Sequence, residues 1–97
     1  MNKLELDASV VEISPLRYTP AGVPALEMKL GHASEVAEAG GTRRIELEVA
    51  AVALGDVALM LGSVAAGTLL SVEGFLAPAR KGATRLVLHI QQANRRI

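Results

Sequence analysis

Along the first fifteen residues, apolar and polar positions alternate. Leu4, Leu6, Ala8 and Val10 are separated by Glu5, Asp7 and Ser9. This period of two predicts a strand with one buried face. The phase slips at Val11, and Ile13 follows the new phase. One extra residue between Val10 and Val11 restores the alternation, which is what a β-bulge supplies. Ser14 to Pro24 holds Pro15, Pro20, Gly22 and Pro24, and Thr19-Pro20-Ala21-Gly22 reads as a tight turn. Arg17 and Tyr18 are expected on this loop. Leu26, Met28 and Leu30 alternate with Glu27 and Lys29 in a second strand. Ser34 to Thr42, with two glutamates and Gly40-Gly41, reads as an exposed, mobile loop. Ile45, Leu47 and Val49 make a third strand, whose tail from Ala50 to Leu54 is apolar on both faces.

Gly55-Asp56 is a helix opening, with Asp56 as N-cap before Val57 to Leu61 and Gly62 as the limit. A fourth strand starts at Gly67-Thr68 and runs through Leu70 and Val72 to Gly74-Phe75-Leu76. Gly74 inside it predicts a second bulge or a sharp bend. Pro78 to Thr84 is a loop carrying Arg80, Lys81 and Gly82. Leu86, Leu88 and Ile90 form the fifth strand, and Ala93 to Ile97 reads as a frayed tail. The chain shows neither an internal repeat nor a low-complexity segment. The expected fold is all-β: a five-stranded Greek-key OB-fold barrel with a short helix or loop between strands three and four.

The chain has 97 residues, which is room for one domain, read as residues 1–97. At 51% hydrophobic and 21% charged it is too apolar for a disordered chain. Tyr18 and Phe75 are its only aromatics, so the core must be built from Leu, Val, Ile and Ala. Such side chains bury little area each, at roughly 25 cal/mol per Å², and association would hide more. Zero cysteines exclude disulfides and thiolate metal sites and fit a reducing compartment. The acids within Met1 to Ser14 speak against a secretory leader. Val49 to Val72 is the most membrane-like window, but Asp56 and three glycines interrupt it, so it is read as buried strand, connector and strand.

Ten Lys+Arg balance ten Asp+Glu, so overall charge does not advertise a nucleic-acid binder. The local balance does. Phe75 to Ile97 holds Arg80, Lys81, Arg85, Arg95 and Arg96 with no acid, whereas residues 1–48 hold eight acids and five bases. In an OB-fold the loops joining strands one to two and four to five flank the oligonucleotide groove. Arg17 falls on the first, with Tyr18 beside it as a possible stacking platform. Arg80, Lys81 and Arg85 fall on or next to the second. Arg43 and Arg44 are added on charge alone. The competing reading for all of them is an ordinary solvated side chain, and for Tyr18 a plug at the barrel end. Phe75 reads as core or dimer interface. His32 and His89 lie at no catalytic spacing, and no serine sits in a nucleophile-elbow or phosphate-loop context. Glu35, Glu38, Glu46 and Glu48 read as solvated faces. Neither catalysis nor a cofactor is expected.

Four stretches carry a family likeness. Pro15-Leu16-Arg17-Tyr18-Thr19-Pro20-Ala21-Gly22-Val23-Pro24, followed by Leu30-Gly31-His32-Ala33-Ser34, resembles the primosomal replication protein N (PriB) family. So do Val72-Glu73-Gly74-Phe75 and Leu86-Val87-Leu88-His89. The resemblance implies an OB-fold homodimer in the bacterial cytoplasm, binding single-stranded DNA and stabilising the restart helicase PriA, with other primosome proteins, on stalled forks. It assigns DNA contact to Arg17, and DNA or helicase contact to Arg80, Lys81 and Arg85. Two positions depart from the enterobacterial pattern. Ala33 stands where that pattern has a basic residue, and Glu46 where it has a stacking Trp. Both point to weaker DNA binding, and the alternative is an OB-fold adaptor of the primosome with weak or negligible DNA binding of its own. A further rival is a small enzyme or ligand-binding barrel using His32 or His89.

Overall fold

A computed structural model describes residues 1–96. Its elements are β1 (Leu4–Ile13), β2 (Arg17–Tyr18), β3 (Pro24–Glu38), β4 (Gly41–Leu54), α1 (Asp56–Leu61), β5 (Leu69–Pro78) and β6 (Leu86–Arg95). The strands run in the order β1-β5-β6-β4-β3-β2, and a β1–β3 pairing closes the sheet on itself. The five long strands form the expected OB-fold barrel. β2 is a two-residue addition that pairs Arg17 with Ala25 and Tyr18 with Pro24, so these two residues extend the sheet instead of lying on a free loop.

β1 serves two neighbours. Leu4–Ser9 pairs with β5, and Ser9–Ile13 pairs with β3. The register shifts between Val10 and Glu12, where the phase slip places a bulge. Bending there turns the strand from one side of the barrel to the other. The second bulge lies between Glu73 and Gly74. A Cβ at Gly74 would fall 1.8 Å from the His89 carbonyl oxygen, so only glycine lets β5 and β6 approach this closely.

The barrel is filled by aliphatic side chains. Leu26, Leu30, Leu70, Leu88 and Val10 are the largest that are fully buried, with Ala51, Ala53 and Ala58 packed among them. α1 presents Ala58 and Leu61 to this core. The N-cap position is Gly55, and Asp56 lies in the first turn without a side-chain capping bond. Gly55 has a φ of 77°, and Asp56 is placed one residue too late to cap.

Two expected loops are ordered strand instead. Ser34 to Thr42 is not mobile loop: β3 and β4 pair through Glu38 and Gly41, turning at Ala39-Gly40. Both turn residues have positive φ, 52° and 80°, the geometry of a type I′ hairpin. Beyond Gly31 and Glu48 this hairpin leaves the barrel as a two-stranded arm. The frayed tail is also corrected. β6 continues to Arg95, Ala93 is buried, and the Arg96 amide donates to the Leu69 carbonyl at 2.9 Å. Ile97 lies outside the described residues.

Asp7 pins this end. The Ser71 hydroxyl donates to one of its carboxylate oxygens and the Arg96 guanidinium to the other, each at 2.7 Å. The Ser71 bond first, with the Arg96 charge adding, holds the Asp7 carboxyl below the usual carboxylate range. A lowered value means the tether acts above the unfolded-state pKa and is lost as pH falls through the folded one. Asp7→Asn should therefore speed hydrogen exchange at the Arg96 amide at neutral pH. Acidification below the ordinary Asp range should lower that amide's protection factor, its exchange relative to a free amide at the same pH, in the parent chain, and unchanged protection in both would dismiss the tether.

Candidate nucleic-acid interface

Strand pairing scatters the candidate residues. Tyr18 pairs with Pro24 at one end of β3, and Arg43 pairs with Val36 near the other. At about 3.3 Å per residue those rows lie roughly 40 Å apart along the strand. They can mark two ends of a tract, not one pocket. Arg43 and Arg44 are adjacent on β4, so they point to opposite faces of the arm. They lie in strand, not beside a mobile loop.

Their charges are largely answered. The Arg44 Nε donates to Glu46 at 2.8 Å, and an Arg43 guanidinium nitrogen to Glu38 at 3.3 Å. Arg17 lies 3.7 Å from Glu27, and Lys29 lies 4.0 Å from both Glu12 and Glu48. These are exposed pairs of small energetic worth, yet each supplies a carboxylate where a phosphate would need a free cation.

The loop between β5 and β6 differs. The Ala79 amide donates to the Arg85 carbonyl at 2.8 Å and the Ala83 amide to that of Arg80 at 2.9 Å, which folds the segment into a compact turn. Arg80, Lys81 and Arg85 are all exposed. Among the described residues, they form no ion pair within 4.0 Å. Arg85 also lines a groove of about 620 Å³ between the start of β6 and the face formed by β3 and β4. Glu12, Glu27, Lys29 and Glu48 stand along it, over apolar atoms of Met28, Val49 and Val52. Sequence patterning marks these charged residues only as the wet side of their strands. Which carboxylate faces which cation depends on register, which the sequence does not print.

Tyr18 is 60% exposed and does not plug the barrel, so its ring is available for stacking. Phe75 is half-buried and stacks on His89, with ring centroids 4.8 Å apart and planes 10° apart. His32 is engaged at both nitrogens, Nδ1 with the Asp7 carbonyl at 2.6 Å and Nε2 with the Ser34 hydroxyl at 2.8 Å. Among the described residues, no group of three or more His, Asp or Glu is placed to hold a metal ion. Among the same residues, no helix is long and apolar enough to cross a membrane.

Residues 2–92 match the family model described as another single-strand binding protein family. Replication restart protein PriB of Bordetella pertussis is 58% identical over 95 residues, which is 98% of this chain and 89% of that one. PriB of Nitrosomonas europaea is 34% identical, over 93% of this chain and 83% of that one. A solved structure of PriB from Ralstonia solanacearum superposes with a TM-score of 0.90 at 38% identity, covering 100% and 99% of the two chains. The single-stranded DNA binding protein from Thermus aquaticus shares the fold, with a TM-score of 0.79 at 23% identity, over 100% of this chain and 50% of that one. An OB barrel with a cationic β5–β6 loop, matched at this level over nearly its whole length, belongs to the replication restart protein PriB family of single-strand binding proteins.

Proposed function

We propose that the protein binds single-stranded DNA as an accessory of replication restart and stabilises the restart helicase PriA on stalled forks. It acts in the cytoplasm as a homodimer, by binding alone, with no catalytic step. The observation that carries this reading is the β5–β6 loop. Among the described residues, Arg80, Lys81 and Arg85 project from it with no carboxylate within 4.0 Å, on the barrel of a PriB family member. Such cations release counterions when they meet phosphates. Arg17 and Tyr18 extend the tract across the barrel, with Tyr18 offering a stacking face. Arg44 contributes less than Arg17, because Glu46 already holds it by a hydrogen bond.

Fluorescence anisotropy of a labelled 30-nucleotide strand across a salt series tests this. Affinity should fall steeply with salt. Each cation on a single strand adds about 0.7 to the slope of log affinity against log salt, so Arg80→Ala/Lys81→Ala/Arg85→Ala should flatten it by about 2. An unchanged slope would remove DNA from this loop. Ala33 and Glu46 replace a basic and a stacking residue of enterobacterial members, at a cost on the order of 2–4 kcal/mol. The carboxylates that answer Arg17, Lys29 and Arg44 favour a second reading, an adaptor with weak DNA binding. Absence of binding at low salt would select it.

A further inference from the structure

The far half of β6 has lost one neighbour. β4 pairs with it only at Leu88, His89 and Ile90. From Gln92 to Arg95, β5 lies along one edge, and among the described residues no strand lies along the other. In the place of β4 stands α1. A groove of about 310 Å³ separates them, with Asp56, Val57 and Met60 on the helix wall and Gln91, Gln92 and Asn94 on the strand wall. After Asp56 every residue of α1 is apolar, yet only Ala58 and Leu61 are buried in the core, and Met60 is 53% exposed. A helix that is apolar all round is normally covered all round. We propose that this groove binds a short extended segment of a partner protein, with an apolar side chain seated on Val57 and Met60 and a lysine or arginine against Asp56.

Two features select that occupant. The first is the strand wall. Gln91, Gln92 and Asn94 are exposed, and among the described residues their carboxamides make no hydrogen bond. A carboxamide both donates and accepts, which suits the free N–H and C=O groups of an extended backbone. A helix has already spent its own on itself. The second is charge. Asp56 is exposed and, among the described residues, forms no ion pair within 4.0 Å. Beyond the strand wall, Gln92 leads across the sheet to Glu73 and Glu5, and Asn94 to Ser71 and Asp7. Those three carboxylates meet only Lys3 and Arg96. The acidic excess repels a phosphate backbone and favours a cation. It also disfavours a second copy, whose two-fold contact would set this acidic rim against itself. The groove shares no lining residue with the one beside Arg85, so it does not depend on DNA binding there.

The probe is a fluorescein-labelled octapeptide with two leucines between paired lysines, titrated into the full chain. It should bind saturably, and the same peptide with glutamates in place of the lysines should not. Asp56→Asn/Met60→Ala should weaken binding at least tenfold. Glu12→Gln/Leu59→Ala, which removes one carboxylate and one half-exposed apolar side chain outside the groove, should weaken it less than twofold. Amide shifts on peptide addition should fall on Asp56 to Met60 and Gln91 to Asn94. Absence of saturable binding, equal binding of the two peptides, equal losses in the two double variants, or shifts centred elsewhere would each overturn the groove. So would a thirty-nucleotide oligo-dT that moves the Gln91–Asn94 amides. Failure of the DNA reading shows separately, as a flat salt series.

Discussion

Gly74→Ala is expected to destabilise the barrel by at least about 3 kcal/mol, because a methyl group there has no place to go. The built Cβ meets the His89 carbonyl oxygen at 1.8 Å, its carbon at 2.9 Å and the Ile90 Cα at 3.2 Å. All three are backbone atoms of the neighbouring strand, so no rotamer change relieves the clash. Relief requires β5 to move away from β6, which breaks pairing from Gly74 to Pro78 and separates Phe75 from His89. For a domain of this size each kcal/mol lowers Tm by about 4–8 °C, so the melting point should drop by roughly 12 °C or more. Thermal unfolding followed by circular dichroism measures this. A melt within 3 °C of the parent would show that the bulge accommodates a side chain.

The second large effect is at Leu88. It is completely buried on β6, with Ala51 of β4 on one side and Leu76 of β5 on the other. Truncation of a buried leucine to alanine costs about 2–5 kcal/mol, and the cost grows with the cavity that remains. Here the surroundings close it poorly. Ala51, Ala53 and Ala58 have nothing to extend into the gap, and the buried core has no aromatic ring to swing across. Leu88→Ala should therefore fall in the upper half of that range. In urea the midpoint should move down with an unchanged slope, the mark of lost stability without a changed unfolded state. Leu86, half-exposed on the same strand, is the control, and Leu86→Ala should change the midpoint little.

Where burial dictates sequence, the fold was legible. The bulge in β1 shows as a slip in alternation because one face of that strand must reach the core. Gly74 shows because a glycine in mid-strand has few other uses. The β3–β4 arm was not legible, since Ser34 to Glu38 buries almost nothing and so keeps no apolar alternation. Cross-strand bonds and a two-residue turn hold it, and Ala39 in that turn lacks the usual Asn or Asp signature. The ordered tail was hidden for another reason: its anchor, Asp7, lies 89 positions away from Arg96 in the chain. The site divides similarly. The β5–β6 loop cations stand out by composition, while the neutralisation of Arg17, Arg43 and Arg44 comes from register and strand alternation.

The way the barrel closes governs how it can fold. Leu4 pairs with Gly74, and the strand that stands between β4 and β5 to complete the ring is β6, which follows both in the chain. Few of these contacts reward a partly made polypeptide, because loop closure over most of the sequence must come first. A topology dominated by non-local pairing folds in about milliseconds to seconds, not microseconds. During synthesis, residues up to Thr84 can form the β3–β4 hairpin but cannot seal the sheet. Until β6 leaves the ribosome the nascent chain carries unclosed strand edges over an aliphatic interior, the form most exposed to aggregation and most in need of a chaperone.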